Sequence, residues 1–192
     1  TQKPEMYTSA NAEETPALRR DILRESVFDW ECRHSGYTAQ MAYPMIYHDP
    51  AHGFMVCLRP SGAVSKAEAI PAVRGLKKRS VKNPQELKEK ILIFEAGLDD
   101  AAVELVKNAI VTVLKRSIEG NVHAYFCAAD EKEMRFAIFV RGRQEPVYQT
   151  TQMAVYRQSQ EVLRTLDYKE PDDFAVVNSK LAQRLLDQYK SI

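Results

Sequence analysis

Leu18, Ile22 and Leu23 recur at the spacing of one helical face, behind a Thr15-Pro16 pair that fits an N-cap and first helical position, so a short helix is predicted from about Pro16 to Glu25. From Val27 to Pro60 the rhythm changes to short runs of aromatic and β-branched residues, broken at His34-Ser35-Gly36 and at Asp49-Pro50-Ala51-His52-Gly53. That pattern predicts a meander of two or three antiparallel strands. Ser61 to Ile70 carries little periodicity and is expected to be a connector, with a strand over Val73 to Val81 beyond it. Asn83-Pro84-Gln85-Glu86 then sets an N-cap, a first-turn proline and a capping-box glutamate in register, ahead of a helix with Leu87, Ile91 and Phe94 on one face and a stop near Gly97.

Asp99 and Asp100 open the next helix at its positive end, Lys115 and Arg116 close it, and Val103, Val106, Ile110, Val113 and Leu114 form its apolar stripe. The turn at Gly97 is short, so these two helices are expected to pack on each other or on a common sheet. Val122 to Ala128 and Arg135 to Val140 predict a hairpin around Asp130-Glu131-Lys132-Glu133. A helix from about Thr151 to Leu166, a short strand over Phe174 to Val177 and a last helix capped by Asn178 complete the pattern, the last carrying Leu181, Leu185, Leu186 and Tyr189. Helices and strands mix without a regular βαβ alternation, which makes the expected class α+β.

Composition narrows the functional classes. At 192 residues and 45% hydrophobic content, the chain can bury about 70% of the surface its unfolded form exposes, enough for a substantial core. Basic and acidic residues number 27 and 26, so no global field draws the protein to nucleic acid or anionic lipid. There is no apolar run near the length of a membrane span and no secretory leader pattern. The first residue is Thr1, not Met, and a segment upstream is expected. Cys32, Cys57 and Cys127 are odd in number and far apart, which fits a reducing, cytoplasmic setting better than a disulfide framework.

Four groups of residues carry candidate chemistry. Cys32 and His34, in Cys32-Arg33-His34-Ser35-Gly36 ahead of a strand, turn and strand, have the layout of a zinc-ribbon-like hairpin with part of its ligand set missing. Two ligands alone do not organise zinc, so packing and turn chemistry are expected to hold this knuckle. His48 and His52 share the spacing of the H-E-x-x-H motif with Asp49 as the acid, but that motif needs a helix and Pro50 and Gly53 make a turn. Arg74, Lys77, Lys78, Arg79 and Lys82 form the dense basic cluster. No aromatics for base stacking interleave it, and a charged strand edge is its commoner meaning. Asp99 and Asp100, with Glu95 and Glu104, could hold a hard cation, yet capping already explains the pair. No nucleophile elbow, phosphate loop or Cys-His nucleophile pair occurs.

Several segments in order carry a family resemblance: Ser9-Ala10-Asn11-Ala12-Glu13-Glu14 with Pro16-Ala17-Leu18-Arg19, Val27-Phe28-Asp29-Trp30-Glu31-Cys32, Tyr43-Pro44-Met45-Ile46-Tyr47-His48-Asp49, and Glu89 to Asp100 with Glu104-Leu105-Val106-Lys107. On these the chain resembles the CpXC-domain proteins, a bacterial family named for its Cys-Pro-x-Cys pairs and without an established biochemical activity. The resemblance covers roughly the first two-thirds. It implies two Cys pairs able to hold one zinc. Here the first pair would precede Thr1, Arg33 stands where proline is usual, and Ser35 stands where the second cysteine should be.

The expected organisation is therefore a hairpin module with one helix over residues 1–60, packed with a mixed α+β body over 61–192. The expected role is non-catalytic, that of a protein-interaction module needing no cofactor. The alternatives are a nucleic-acid-associated protein using residues 74–82, or a zinc-binding protein if an upstream Cys pair exists.

Overall fold

The computed structural model describes residues 6–32, 34–60 and 75–192. Its elements run β1 (Ser9–Asn11), α1 (Pro16–Leu23), a 3-10 turn (Ser26–Phe28), β2 (Asp29–Glu31), β3 (Thr38–Gln40), β4 (Met45–Asp49), β5 (Phe54–Leu58) and β6 (Lys77–Val81). They continue with α2 (Pro84–Glu95), α3 (Asp100–Leu114), β7 (Val122–Ala129), β8 (Glu133–Val140), β9 (Val147–Gln152), α4 (Met153–Thr165) and α5 (Ser179–Lys190). Helices with mixed and antiparallel sheets make the fold α+β, as the pattern predicts. Among the described residues no helix is long and apolar enough to cross a membrane. Contacts group into two compact units, Thr1–Lys90 with Pro171–Ala175, and Ile91–Glu170 with Val176–Ile192, so the division falls inside α2.

The first unit departs from the expected single meander. β2 and β3 pair antiparallel as a sheet of their own, while β4 and β5 sit in a four-stranded sheet of order β1-β4-β5-β6. In that sheet β1 runs parallel to β4 and β6 parallel to β5, with only β4 and β5 antiparallel. Burial explains the choice. All five residues of β5, Phe54 to Leu58, are buried, and a strand covered on both faces suits parallel neighbours. The polar, three-residue β1 gives no periodicity to read.

Two local expectations in this unit are corrected. Thr15 precedes Pro16 at the start of α1 but does not cap it; its hydroxyl donates instead to the Asn11 carbonyl at 2.7 Å. The strand expected over Phe174 to Val177 contracts to one parallel bridge between Arg79 and Ala175, in which Ser80 N–H donates to the Ala175 carbonyl at 2.8 Å along β6. The expected connector from Ser61 to Ile70, and Val73, lie outside the described residues.

The helix ends between 83 and 102 follow the sequence signals closely. Asn83 Oδ1 accepts from Glu86 N–H at 2.8 Å, and the Glu86 carboxylate reaches back to Lys82 N–H at 2.8 Å. Gly97, at φ +68°, ends α2 in a left-handed turn in which Leu98 N–H reaches the Ile93 carbonyl and Gly97 N–H the Phe94 carbonyl. Asp99 then caps α3, accepting from Ala102 N–H at 2.9 Å.

In the second unit β7, β8 and β9 form an antiparallel meander, with Asp130 Oδ1 holding the first turn by accepting from Lys132 and Glu133 N–H. β9 is an addition to the predicted hairpin. Its Val147-Tyr148-Gln149-Thr150-Thr151-Gln152 run is too polar to stand out, and α4 accordingly starts at Met153. Helix α3 packs extensively against α4, α5 and β7, and α2 is not among those partners, so the expected α2–α3 pairing is replaced by one with the C-terminal helices. The stripe of α3 is buried through Val103, Val106 and Ile110, but Val113 is 60% exposed, past the end of the packed face.

Candidate docking site

The β2–β3 hairpin carries the Cys32 knuckle. Cys32 N–H donates to the Tyr37 carbonyl at 2.7 Å, and Gly36 N–H turns back to the Cys32 carbonyl at 2.7 Å, with Gly36 supplying the left-handed residue at φ +67°. Ser35, through its side chain first and its backbone second, and the His34 backbone hold the Cys32 thiol below its ordinary range against a smaller opposing effect of burial. Ser35 offers a neutral hydroxyl where a second thiolate would be needed, and His34 is solvent-exposed. Among the described residues no group of three or more His, Cys, Asp or Glu side chains is placed to share a metal ion. The donor set at Cys32 and His34 thus does not fit a closed four-ligand zinc site. Arg33 lies outside the described residues.

Beside this turn, β2 and the segment that follows β3 help to wall a cleft of about 310 Å³. Trp30 and Tyr37 meet edge to face with ring centroids 6.4 Å apart, and Phe28 and Tyr43 pack beneath at 5.4 Å. The Tyr43 hydroxyl donates to the Val27 carbonyl at 3.2 Å and accepts Tyr7 N–H at 3.4 Å, which ties the incoming chain to the hairpin root. Met6, Tyr7, Trp30 and Met41 supply apolar wall, and Asp21, Asp29 and Glu31 supply carboxylates. Around it Tyr37 is 63% exposed, Met6 56% and Met41 46%. Large apolar side chains grouped in this way differ from the single exposed hydrophobes of any surface. Motif spacing does not reveal this cleft. The sequence signal for it is the concentration of aromatics from Phe28 to Tyr47 around the sole tryptophan.

The other candidate residues do not converge. Asp49 is buried at the end of β4 and takes both partners from its own turn, accepting His52 N–H on Oδ1 at 3.1 Å and pairing Oδ2 with His52 Nδ1 at 2.8 Å. His48 precedes Asp49 in the strand and so lies on the opposite face, which separates the two histidines. Of the basic cluster, Arg74 lies outside the described residues. Arg79 is fully buried, its guanidinium donating to the Lys78 carbonyl at 2.8 Å. Lys77 and Lys78 are half-buried, Lys78 Nζ donating to the Asp172 carbonyl at 3.3 Å, and Lys82 is exposed. Strand alternation sends these residues to opposite faces, so the described members do not make one open basic stripe. Asp100 and Glu104 are buried in α3, where Glu104 pairs with Lys107 at 3.0 Å.

No curated protein and no solved structure matches the chain. A family model described as CpXC protein matches residues 1–107, more than half of the 192, and takes in the hairpin, the cleft and the four-stranded sheet. The chain belongs to the CpXC family.

Proposed function

We propose that this CpXC protein is a non-catalytic protein-interaction module that docks its partner on the β2–β3 hairpin and the adjoining cleft. The observation that supports this is the grouping of Tyr37, Met6 and Met41, all exposed, around the half-buried Trp30. A hairpin only three residues per strand has no folding reason to display so much apolar surface. The knuckle contributes rigidity: its internal hydrogen bonds fix the turn that carries Tyr37. The three cysteines are all free, in keeping with work inside a reducing compartment.

The test is site-specific photocrosslinking in the cell that produces the protein. A benzophenone amino acid at Tyr37 or Met41 is expected to trap a defined partner band, and the same probe at Tyr189, exposed on α5, to trap none. Equal labelling from both places would remove the docking role.

A further inference from the structure

A strand at the edge of a sheet offers a row of backbone N–H and C=O groups to any other strand, unless length, charge, a bulge or a covering segment protects it. Most described edges in this molecule are protected. β1, β2 and β3 are three residues long. β6 carries Lys77, Lys78 and Arg79, and its outer side is bridged to Ala175, whose carbonyl accepts Ser80 N–H at 2.8 Å. The pairing of β7 is broken by a bulge between Phe126 and Ala128, and α3 packs against that strand. β9 differs from all of these. Its six residues, Val147-Tyr148-Gln149-Thr150-Thr151-Gln152, contain no charge, proline or glycine, favour extended backbone and pair with β8 without a register shift. Hydrogen-bond alternation fixes which groups this edge presents. Met153 N–H donates to the Lys132 carbonyl at 2.7 Å and the register runs on through Glu133 opposite Gln152, so Thr151, Gln149 and Val147 bond to β8 while Tyr148, Thr150 and Gln152 turn N–H and C=O outward. Among the described residues no strand pairs with that outer side.

We propose that the outer edge of β9 pairs with the same edge of a second copy of this chain, antiparallel across a two-fold axis, so that two three-stranded sheets become one of six strands. The strand is its own complement. With Thr150 opposite Thr150 of the second copy and Tyr148 opposite its Gln152, all three outward-facing residues enter hydrogen-bonded pairs, and the axis repeats each off-axis contact. A charged partner strand would find no counter-charge along β9, whereas a second copy matches it in length, polarity and bonding pattern. The charged neighbours on β8 do not oppose this. Arg135, stacked on the Tyr148 ring at 4.5 Å, lies one strand back from the edge, so three strand spacings, roughly 14 Å, separate it from its own copy, more than a screening length at physiological salt. The pairing does not rest on the docking role of the hairpin. Sedimentation velocity of the full chain from about 1 to 200 µM is expected to show a concentration-dependent passage from monomer to dimer. Thr150→Lys, at an exposed position, sets like charges opposite each other at the axis and is expected to raise the dimer Kd about tenfold or more at low salt, with partial recovery as salt rises. Thr150→Pro removes an N–H that β8 does not use, so circular dichroism should be unchanged while the dimer is lost. Should that variant fail to fold, Thr150→Lys decides alone. The proposal is overturned by a chain that stays monomeric over the whole range, or by a dimer whose Kd Thr150→Lys leaves unchanged, since its interface would then lie elsewhere.

Discussion

Cys32 directly follows β2, at the start of the turn that leads to β3. Because Ser35 is the largest cause of its lowered pKa, Cys32 carries more thiolate at neutral pH than an ordinary cysteine, while Cys57 is buried in β5. Iodoacetamide is therefore expected to label Cys32 first, with mass spectrometry of digested protein as the check. Ser35→Ala should move the labelling profile to higher pH, since removing the leading donor returns the thiol toward its usual range. The sign for stability follows the same direction. A depressed thiol pKa favours the folded state above the unfolded thiol's range, and that contribution fades as pH falls through the folded value. At the other hairpin, Asp49→Ala removes a buried carboxylate that accepts two bonds and should cost about 1–3 kcal/mol, with His52→Ala costing less because the imidazole is the more exposed partner. The turn after Cys32 was legible as a turn because His34-Ser35-Gly36 interrupts the run of aromatic and β-branched residues. The Asp49–His52 pairing was legible only as a turn.

Among the elements, those written in local chemistry were readable and those written in pairing were not. Asn83, Pro84, Glu86, Gly97, Asp99 and Asn178 each announce a helix end, and except for the proline, which donates no hydrogen bond, each makes its expected bond or backbone turn. Thr15 shows the limit, since its hydroxyl finds the Asn11 carbonyl before the helix does. Strand partners depend on residues far apart in sequence, so nothing local separates β2–β3 from β4–β5 or makes β6 parallel to β5. The caps also give a graded test. Asn83→Ala should destabilise by about 1 kcal/mol through loss of the cap. Gly97→Ala should cost about 1–2 kcal/mol although a Cβ meets nothing within 4 Å, because the penalty is the left-handed backbone at φ +68°. Denaturant midpoints would separate the two, and a neutral Gly97→Ala would mean that the turn can relax.

Over the whole molecule, stability rests on apolar burial within each unit: Ile22, Phe28, Tyr47 and Phe54 in the first, Val103, Phe126 and Phe136 in the second. Side chains so fully covered provide the driving force that a small metal-nucleated module lacks, and on this ground the fold is expected to form without a metal at Cys32. Unfolding in the presence of EDTA is accordingly expected to trace the same curve as without it; a shifted midpoint would mean that a metal contributes to folding after all. The same principle ranks positions along the apolar stripes that the sequence marks alike. Phe94 and Ile110 are 6% and 7% exposed, and truncating either to alanine should cost about 2–5 kcal/mol, since the surrounding side chains cannot fully refill the space. Val113 shares the periodicity but is 60% exposed, so Val113→Ala should change stability by less than about 0.5 kcal/mol. Periodicity identifies the face a residue lies on, whereas packing decides how far along the helix that face is covered. A Val113→Ala cost approaching that of Ile110→Ala in matched denaturant titrations would show that the covered face of α3 reaches its last turn.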